Sequence, residues 1–240
     1  MNVYYDPAAK LGVFPLREEE SYHCVKVLRQ KVGDQILLSD GNGHIYKAEV
    51  AGVNKKNQCA VEAYEILRKE EMRHGKLHIA IAPTKSIDRF EWFLEKATEC
   101  GIEEITPLLC MNSERARIKP ERLEKIMVAA MKQSMRAWLP KLNPIIKFDK
   151  FVESINAENK FIAHCVEGEK LFLNREVAPQ KDVLILIGPE GDFNDKEISI
   201  ALGNNFKPLS LGEYRLRTET AALLACVEFN LLNRNTNNNI

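Results

Sequence analysis

Short apolar stretches alternate with turn residues along the first 67 positions of the chain. Residues 45–50 alternate apolar and polar side chains, which is the pattern of a half-buried strand. Before them, Asp40-Gly41-Asn42-Gly43 has the composition of a hairpin turn. Residues 21–29 fit either a short helix or a strand. Because short strands recur at this spacing, residues 1–67 are predicted to form a small β-barrel.

The hydrophobic period changes after residue 76. Strand-like apolar runs occur at residues 77–82, 104–109, 161–165, 183–187 and 207–211. Between them, apolar residues recur at helical spacing. This alternation predicts an α/β domain over residues 76–231, with a mainly parallel sheet covered by helices on both faces. Residues 68–75 are predicted to be a linker, and the Asn-rich residues 232–240 a disordered tail.

Two strand–turn–helix units near the C-terminus end in glycine-containing loops. The apolar run Val183–Ile187 stops at Gly188-Pro189-Glu190-Gly191, and the strand that ends at Leu211 stops at Gly212. Glycine has no Cβ, so the backbone there can approach a ligand closely. Ligands of open parallel sheets bind beyond the carboxyl ends of the strands. These loops, with His164 at the end of another strand, therefore predict one pocket.

Arg217 precedes the final helix, which is predicted at residues 218–231. Thr218 suits a helix cap, and Glu219 is favourable at the positive end of the helix dipole. A positive side chain at that end is unfavourable unless it faces an anion or a polar substrate. The position of Arg217 therefore indicates a role in binding or catalysis. Residues 221–227 are apolar nearly all round, which predicts burial, including burial against a second subunit.

Composition limits the classes of protein to consider. With 45% hydrophobic and 28% charged residues, the 240-residue chain has the composition of an ordinary globular protein. It has no run long enough to cross a bilayer and no signal-peptide pattern. Its six cysteines are dispersed without a CxxC pair, which favours a reducing cytoplasm and predicts neither a zinc site nor any other metal site.

The charge balance is neutral overall but uneven along the chain. Residues 113–141 contain eight basic and three acidic residues, a local excess of five positive charges. Such a segment is able to contact phosphates. On charge alone, a solvated helix face with paired charges is the better explanation.

Several common site signatures are absent from the sequence. It has no GxGxxG after its first strand, no Walker lysine motif and no nucleophile elbow, and its five histidines are dispersed. These absences count against phosphate, metal and acyl chemistry at the glycine loops.

The C-terminal loops together match a known family. Leu186-Ile187-Gly188-Pro189-Glu190-Gly191, Leu211-Gly212 and Leu216-Arg217-Thr218-Glu219-Thr220-Ala221 closely resemble the motifs of the SPOUT-type 16S ribosomal RNA uridine-N3 methyltransferases, the RsmE group. The likeness extends over nearly the whole chain, through residues 23–29 and Ser113-Glu114-Arg115. It implies an N-terminal RNA-binding barrel of PUA-like form, a C-terminal trefoil knot, S-adenosylmethionine as cofactor, and a homodimer through the last helix. Periodicity would not suggest a knot, because knots are essentially absent from proteins.

The resemblance also implies which residues do the chemistry. Arg217 stabilises negative charge on the uracil carbonyl oxygens, and Glu219, or a water that it holds, acts as the base. Glu219 equally suits a helix cap or a dimer contact. The cofactor residues implied are His164, Ile187, Gly188, Pro189, Glu190, Gly191, Leu211, Gly212, Leu216, Thr218, Thr220 and Ala221. The RNA contacts implied in 16S RNA of the 30S subunit are Arg29, Arg115, Arg117 and Arg136, so the basic segment now favours RNA binding.

The chain departs from the family pattern at three places. Asp192 stands where a second glycine is usual, and Lys132 replaces an acid. Glu213-Tyr214-Arg215 stands where Pro-Arg-aliphatic is common, so an arginine has moved by one position. Asp192 therefore adds a negative charge near the ligand loop.

Three other functions compete with this one. The nearest is a SPOUT enzyme that acts on another RNA base or on a ribose. The second is a non-catalytic RNA-binding ribosome assembly factor in which the loops are only structural. The third is a phosphate- or nucleotide-binding enzyme, against which the missing phosphate-binding lysine counts.

Overall fold

The structure is a computed structural model that describes residues 2–234. The chain forms two compact units. The first runs to Met72 and also contains Val128–Leu139, whereas the second contains Arg73–Met127 and the described residues from Pro140 onward. The sequence pattern does not predict the return of residues 128–139 to the first unit.

The first unit is built on a five-stranded sheet. Its strands are β1 (Val3–Tyr5), β2 (Gly12–Pro15), β3 (Gln35–Ser39), β4 (His44–Val53) and β5 (Cys59–Lys69). They follow the order β1-β3-β4-β5-β2, in which only β1 and β3 are parallel. Helix α1 (Glu18–Tyr22) continues as a π-helical turn, His23–Val27, so the ambiguous residues 21–29 are mostly helical. Tyr4, Cys24 and Ile36 are among the residues that fill the core.

Residues 128–139 are fastened to the first unit by polar contacts. Lys132 forms an ion pair with Glu20, with 2.7 Å between Nζ and Oε1, and its ammonium lies over the ring of Tyr4. The indole of Trp138 donates a hydrogen bond of 3.1 Å to the carbonyl oxygen of Glu70. Lys132, which replaces an acid of the family pattern, is therefore paired with the nearly buried carboxylate of Glu20.

The second unit is built on a parallel sheet, as the sequence predicts. Within residues 2–234 its strands are β6 (Leu77–Ile81), β7 (Glu104–Leu109), β8 (Lys141–Leu142), β9 (Ile146–Lys147), β10 (Asn159–Ala163), β11 (Val183–Ile187) and β12 (Lys207–Leu209). The order is β12-β10-β11-β6-β7-β8, and β9 also pairs with β7. Every pairing is parallel. The carboxyl ends of the strands therefore meet at one edge.

Helices alternate with these strands. They are α2 (Ile87–Cys100), α3 (Pro120–Gln133), α4 (Phe148–Ser154), α5 (Leu173–Glu176), α6 (Asp195–Gly203) and α7 (Thr218–Asn233). Asn194 and Glu197 form the capping box that starts α6, as predicted. Helix α7 runs two residues beyond its predicted end, and residues 235–240 of the predicted tail lie outside the described residues. No helix among the described residues is long and apolar enough to cross a membrane.

Strand β11 determines where the glycine loop lies. All five of its residues are buried, because it runs between β10 and β6 in the middle of the sheet. Helix α7 packs against β6, β11 and α2. The Gly188 turn therefore leaves the centre of the sheet edge, beside the start of α7.

Candidate active site

A cavity of about 640 Å³ opens at the carboxyl edge of the second unit's sheet. Its volume is typical of small-molecule sites, which measure roughly 300–1,000 Å³. Its walls are the segments that follow β10, β11 and β12, together with the first turn of α7. The lining residues are Ala163, His164, Cys165, Lys170, Ile187, Gly188, Pro189, Glu190, Asp192, Leu209, Ser210, Leu211, Gly212, Glu213, Tyr214, Arg215, Leu216, Arg217, Thr218 and Ala221.

Most of the predicted site residues line this one cavity. All predicted cofactor residues do so except Gly191 and Thr220, which are next to lining residues in the chain. Arg217 lines the cavity, whereas Glu219 does not. The tertiary structure therefore brings the two loops and His164 together, and the role of each residue remains a prediction.

The glycine turn after β11 is held by the loops that follow β6 and β7. The carboxylate of Glu190 accepts a hydrogen bond of 2.9 Å from the backbone N–H of Lys85. The side-chain amide of Asn112 donates to the carbonyl oxygens of Gly191 and Asp192, at 3.3 and 3.1 Å. A turn fixed from two sides presents its backbone to a ligand in one preformed conformation.

Asp192 connects this turn to the end of β10. Its backbone is in the left-handed region, with φ at 62°, which explains why glycine is favoured there. Asp tolerates this conformation better than most residues. Its carboxylate accepts hydrogen bonds from the backbone N–H groups of Cys165, at 2.7 Å, and Phe193, at 2.8 Å. These bonds stabilise the aspartate, so the departure from the family pattern adds a link between two cavity walls.

His164 lines the cavity, but the two nitrogens of its imidazole are buried and unsatisfied. Neither ring nitrogen is exposed to solvent, and neither makes a well-formed hydrogen bond within the described residues. Burial lowers the pKa of His164, as does the positive charge of Lys170, while Asp192 and the backbone of Val166 oppose the shift. The ring is therefore neutral at pH 7. A neutral imidazole offers one donor and one acceptor, which fits a polar ligand with both kinds of group.

Arg217 is the N-cap residue of α7. The helix begins at Thr218, so the predicted cap position is wrong by one residue. The exposed guanidinium of Arg217 makes no hydrogen bond or ion pair within residues 2–234. It lies at the positive end of a helix and lines the cavity, so it is available to a negatively charged or polar group of a ligand.

Glu219 contacts a helix instead of the cavity. Its side chain is nearly buried, and one carboxylate oxygen is 4.0 Å from Nε of Arg89 on α2. The other oxygen is shielded from solvent and has no hydrogen-bond partner in the described part of the chain. This position suits the structural alternative predicted for Glu219 better than that of a base.

The predicted RNA contacts are distributed over both units. Arg29 and Arg136 belong to the first unit, and Arg115 and Arg117 belong to the second. The guanidinium of Arg115 donates to the backbone carbonyls of Thr84, at 3.1 Å, and Lys85, at 2.6 Å. Arg115 therefore supports the loop that Glu190 also holds, while Arg117 is exposed.

Several cavity residues were not predicted from the sequence. They are Ala163, Cys165, Lys170, Asp192, Leu209, Ser210, Glu213, Tyr214 and Arg215. Asp192 and residues 213–215 depart from the family pattern, and this departure could have identified them as cavity residues from the sequence. Lys170 has no such signal, because only the path of the chain after β10 brings it to the cavity.

The fold is that of an α/β protein with a cavity of small-molecule size at the carboxyl edge of its parallel sheet. Within residues 2–234, no cluster of three or more His, Cys, Asp or Glu side chains is able to hold a metal ion. The chain belongs to the RNA methyltransferase family: residues 70–229 match the model for the RNA methyltransferase domain, and residues 16–62 match that for the RNA methyltransferase PUA domain. The resemblance seen in the sequence is thereby confirmed.

Individual relatives agree with the family. A ribosomal RNA small subunit methyltransferase E of Rickettsia conorii is 31% identical, over 90% of this chain and 89% of that protein. The crystal structure of a probable rRNA-methyltransferase from Porphyromonas gingivalis is 37% identical, with a TM-score of 0.89 and coverage of 98% and 99% of the two chains. A putative methyltransferase of Legionella pneumophila, in complex with the bound cofactor SAM, is 30% identical, with a TM-score of 0.87 and coverage of 96% and 97%.

The cavity fits the cofactor of this family, S-adenosylmethionine. The unsatisfied nitrogens of His164 and the backbone of the two glycine loops suit a ligand with nucleoside and amino-acid groups. At Gly188, a Cβ atom would lie 3.2 Å from the backbone N and the ring of Phe193, which is a tight contact that Phe193 must relieve by a small shift.

We therefore expect Gly188→Ala to weaken S-adenosylmethionine binding by about tenfold or more, because the overpacked turn must shift. Gly203→Ala is the matched control, since its Cβ would meet nothing within 4 Å and its backbone is not in the left-handed region. Isothermal titration of both variants measures the difference. Equal affinities for both would show that the Gly188 turn does not hold the cofactor.

Proposed function

We propose that this enzyme transfers the methyl group of S-adenosylmethionine to N3 of one uridine in 16S ribosomal RNA of the small subunit. The observation that carries the proposal is Arg217, whose guanidinium has no partner within the described residues and lines the cavity formed by the family's two cofactor loops. The names of the relatives, which specify the small-subunit ribosomal RNA, support the substrate.

The chemistry requires charge stabilisation on the uracil. S-adenosylmethionine supplies a methyl group on a positively charged sulfur, which is already strongly electrophilic. N3 of uracil must lose its proton to become a nucleophile, and negative charge then spreads onto the neighbouring carbonyl oxygens. Arg217 is suited to stabilise that charge, because its guanidinium donors are unpaired within the described residues and line the cavity at the start of α7. Holding the reactants in line lowers much of the remaining barrier.

The reaction also needs a base that removes the proton from N3 of the uracil. Glu219 is absent from the cavity lining and contacts Arg89, which supports a structural role at the start of α7. His164 is neutral, but we assign it to cofactor binding because it belongs to the end of β10. We propose that the proton of N3 passes to a water molecule in the open cavity.

The first unit is proposed to bind RNA as a PUA-like barrel. The family match over residues 16–62 supports this role, and Arg29 and Arg136 are its candidate phosphate contacts. Its five-stranded sheet supplies the strands of such a barrel.

The trefoil knot is proposed for the segment between β12 and α7. Strand β12 is at the edge of the sheet beside β10, yet α7 packs on β6 and β11. Residues 210–217 must therefore travel back past the end of β10. This path supports a threaded connection.

A homodimer through α7 is proposed from the side chains that the helix leaves uncovered. Ala222, Ala225 and Phe229 are buried within the chain, whereas Leu223 and Leu224 are only partly covered and Leu231 is 52% exposed. The remaining exposed apolar face of α7 supports burial against a second copy of the chain.

A cytoplasmic location is inferred from the proposed substrate. The six cysteines, none of which forms a disulfide, agree with a reducing compartment.

The proposed function is tested with 16S RNA extracted from a strain that lacks this gene. Purified protein with S-adenosylmethionine is expected to add one methyl group to that RNA, and nuclease digestion with mass spectrometry should identify it as N3-methyluridine. RNA from the parent strain, which under this proposal is already methylated, is the matched control and should accept no methyl group. A methyl group on another base or on a ribose would overturn the uridine-N3 assignment, and no transfer would overturn catalysis on this RNA.

A further inference from the structure

An exposed tyrosine lies at the cavity where the chain departs from its family. Tyr214 lines the cavity and is 84% exposed, the largest exposure among the large hydrophobic and aromatic side chains of the described chain. It belongs to Glu213-Tyr214-Arg215, between Gly212 and the start of α7. A single exposed aromatic residue is ordinary on a protein surface. Tyr214 also lies in the wall of the cavity, and this position indicates that its exposed ring contacts a ligand.

Unpaired cations line the same cavity as this tyrosine. Lys170, Arg215 and Arg217 all line the same cavity. Within residues 2–234, none of the three makes an ion pair or a side-chain hydrogen bond. Lys170 and Arg215 lie close enough to Cys165 to lower the pKa of its thiol, against the larger effects of burial and Asp192, which raise it. Both positive charges therefore belong to the part of the cavity at the end of β10.

The nearby carboxylates leave these cations available. Glu190 accepts from the backbone of Lys85, and Asp192 accepts from the backbone of Cys165 and Phe193. Glu213 makes no ion pair within the described residues. The cavity thus combines an exposed aromatic ring with cations that are not neutralised by direct contact, which is the combination that single-stranded RNA recognition uses.

We propose that Tyr214, Arg215 and Lys170 form the subsite for the substrate nucleotide, with the tyrosine ring stacked on an RNA base and the two cations on its flanking phosphate. This inference rests on the proposed function, because it needs RNA as the substrate of the cavity. Stacking suits an exposed ring, since every base has a π face and the contact removes both surfaces from water. Arg217 remains available for the carbonyl oxygens of the reacting base.

The experiment compares Tyr214→Leu and Tyr214→Phe in the full-length protein. Loss of base–aromatic stacking typically weakens binding about 5- to 100-fold. Tyr214→Leu is expected to raise the Kd and the KM for the 16S RNA by such a factor and to leave the Kd for S-adenosylmethionine within about twofold. Tyr214→Phe keeps the ring and should rescue most of the RNA affinity. A purely structural role would not separate the two ligands in this way.

The salt dependence of RNA binding distinguishes the contribution of the tyrosine ring from that of the two cations. Each lost phosphate contact on single-stranded nucleic acid lowers the slope of log Kd against log salt by about 0.7. Arg215→Gln and Lys170→Gln are each expected to lower that slope, whereas Tyr214→Leu should weaken RNA binding without changing it.

The outcomes distinguish this subsite from the proposed function. If the wild-type protein methylates the RNA but Tyr214→Leu binds and turns over RNA normally, the subsite is wrong and the proposed function stands. If Tyr214→Leu loses S-adenosylmethionine affinity instead, the ring covers the cofactor and the inference fails. If the wild-type protein transfers no methyl group to the RNA, the proposed function itself fails.

Discussion

Arg217→Ala is expected to lower the rate of methyl transfer about 100- to 1,000-fold while the affinity for S-adenosylmethionine stays within about threefold. Removing one fixed donor that stabilises transition-state charge typically has an effect of this size. The guanidinium has no partner within residues 2–234, so truncating it breaks no protein contact there and the fold should be retained. Single-turnover transfer to 16S RNA from the deletion strain measures the rate, and calorimetry measures cofactor binding.

Arg175→Ala provides the control for this variant. Arg175 is an exposed arginine of the same unit that contacts the ring of Phe172 and does not line the cavity. Its loss should leave transfer unchanged. If Arg217→Ala transferred methyl groups as fast as Arg175→Ala, the role assigned to Arg217 would be refuted.

Arg73→Ala is expected to destabilise the protein by about 2–4 kcal/mol, because it leaves the largely buried carboxylate of Glu103 without its cation. The guanidinium donates to Glu103 at 2.7 Å and to the carbonyl oxygen of Gly101 at 2.8 Å, and it also contacts Asn230. It stacks over the ring of Phe229 as well, 4.9 Å from the centroid. Urea unfolding monitored by circular dichroism measures the loss.

Two further variants test the reason for this loss. Lys207→Ala breaks an exposed ion pair with Glu176 and should cost less than about 1 kcal/mol. The double variant Arg73→Ala with Glu103→Gln should be more stable than Arg73→Ala alone, because the unpaired charge has been removed. An Arg73→Ala loss no larger than that of Lys207→Ala would show that this cluster does not stabilise the fold.

The same arginine illustrates a limit of sequence reasoning. Residues 68–75 are polar and without period, so they are predicted to be a linker. Strand β5 in fact continues to Lys69, and Arg73 connects the start of the second unit to α7. Neither its partner Glu103 nor Asn230 is near it in sequence, so no local pattern marks the contact.

The cofactor loops illustrate what is predictable. Strand β11 is apolar and ends directly before Gly188, as hydrophobic period and backbone preference predict, whereas β12 ends at Leu209, two residues before the predicted end at Leu211. Two loops that follow strands of one parallel sheet must meet at the same edge. Most of the predicted cofactor residues line one cavity, whereas no local pattern marks Lys170 or the burial of His164.

The sequence by itself determined the alternation of strands and helices, the parallel sheet and the family to which the glycine motifs belong, because each follows from residues close together in the chain. Only the tertiary structure decided that residues 128–139 join the first unit, that Arg115 supports a loop, that Glu219 turns toward α2 and that burial lowers the pKa of His164. These features depend on contacts between distant residues, and on the burial that results from them, neither of which a local pattern contains.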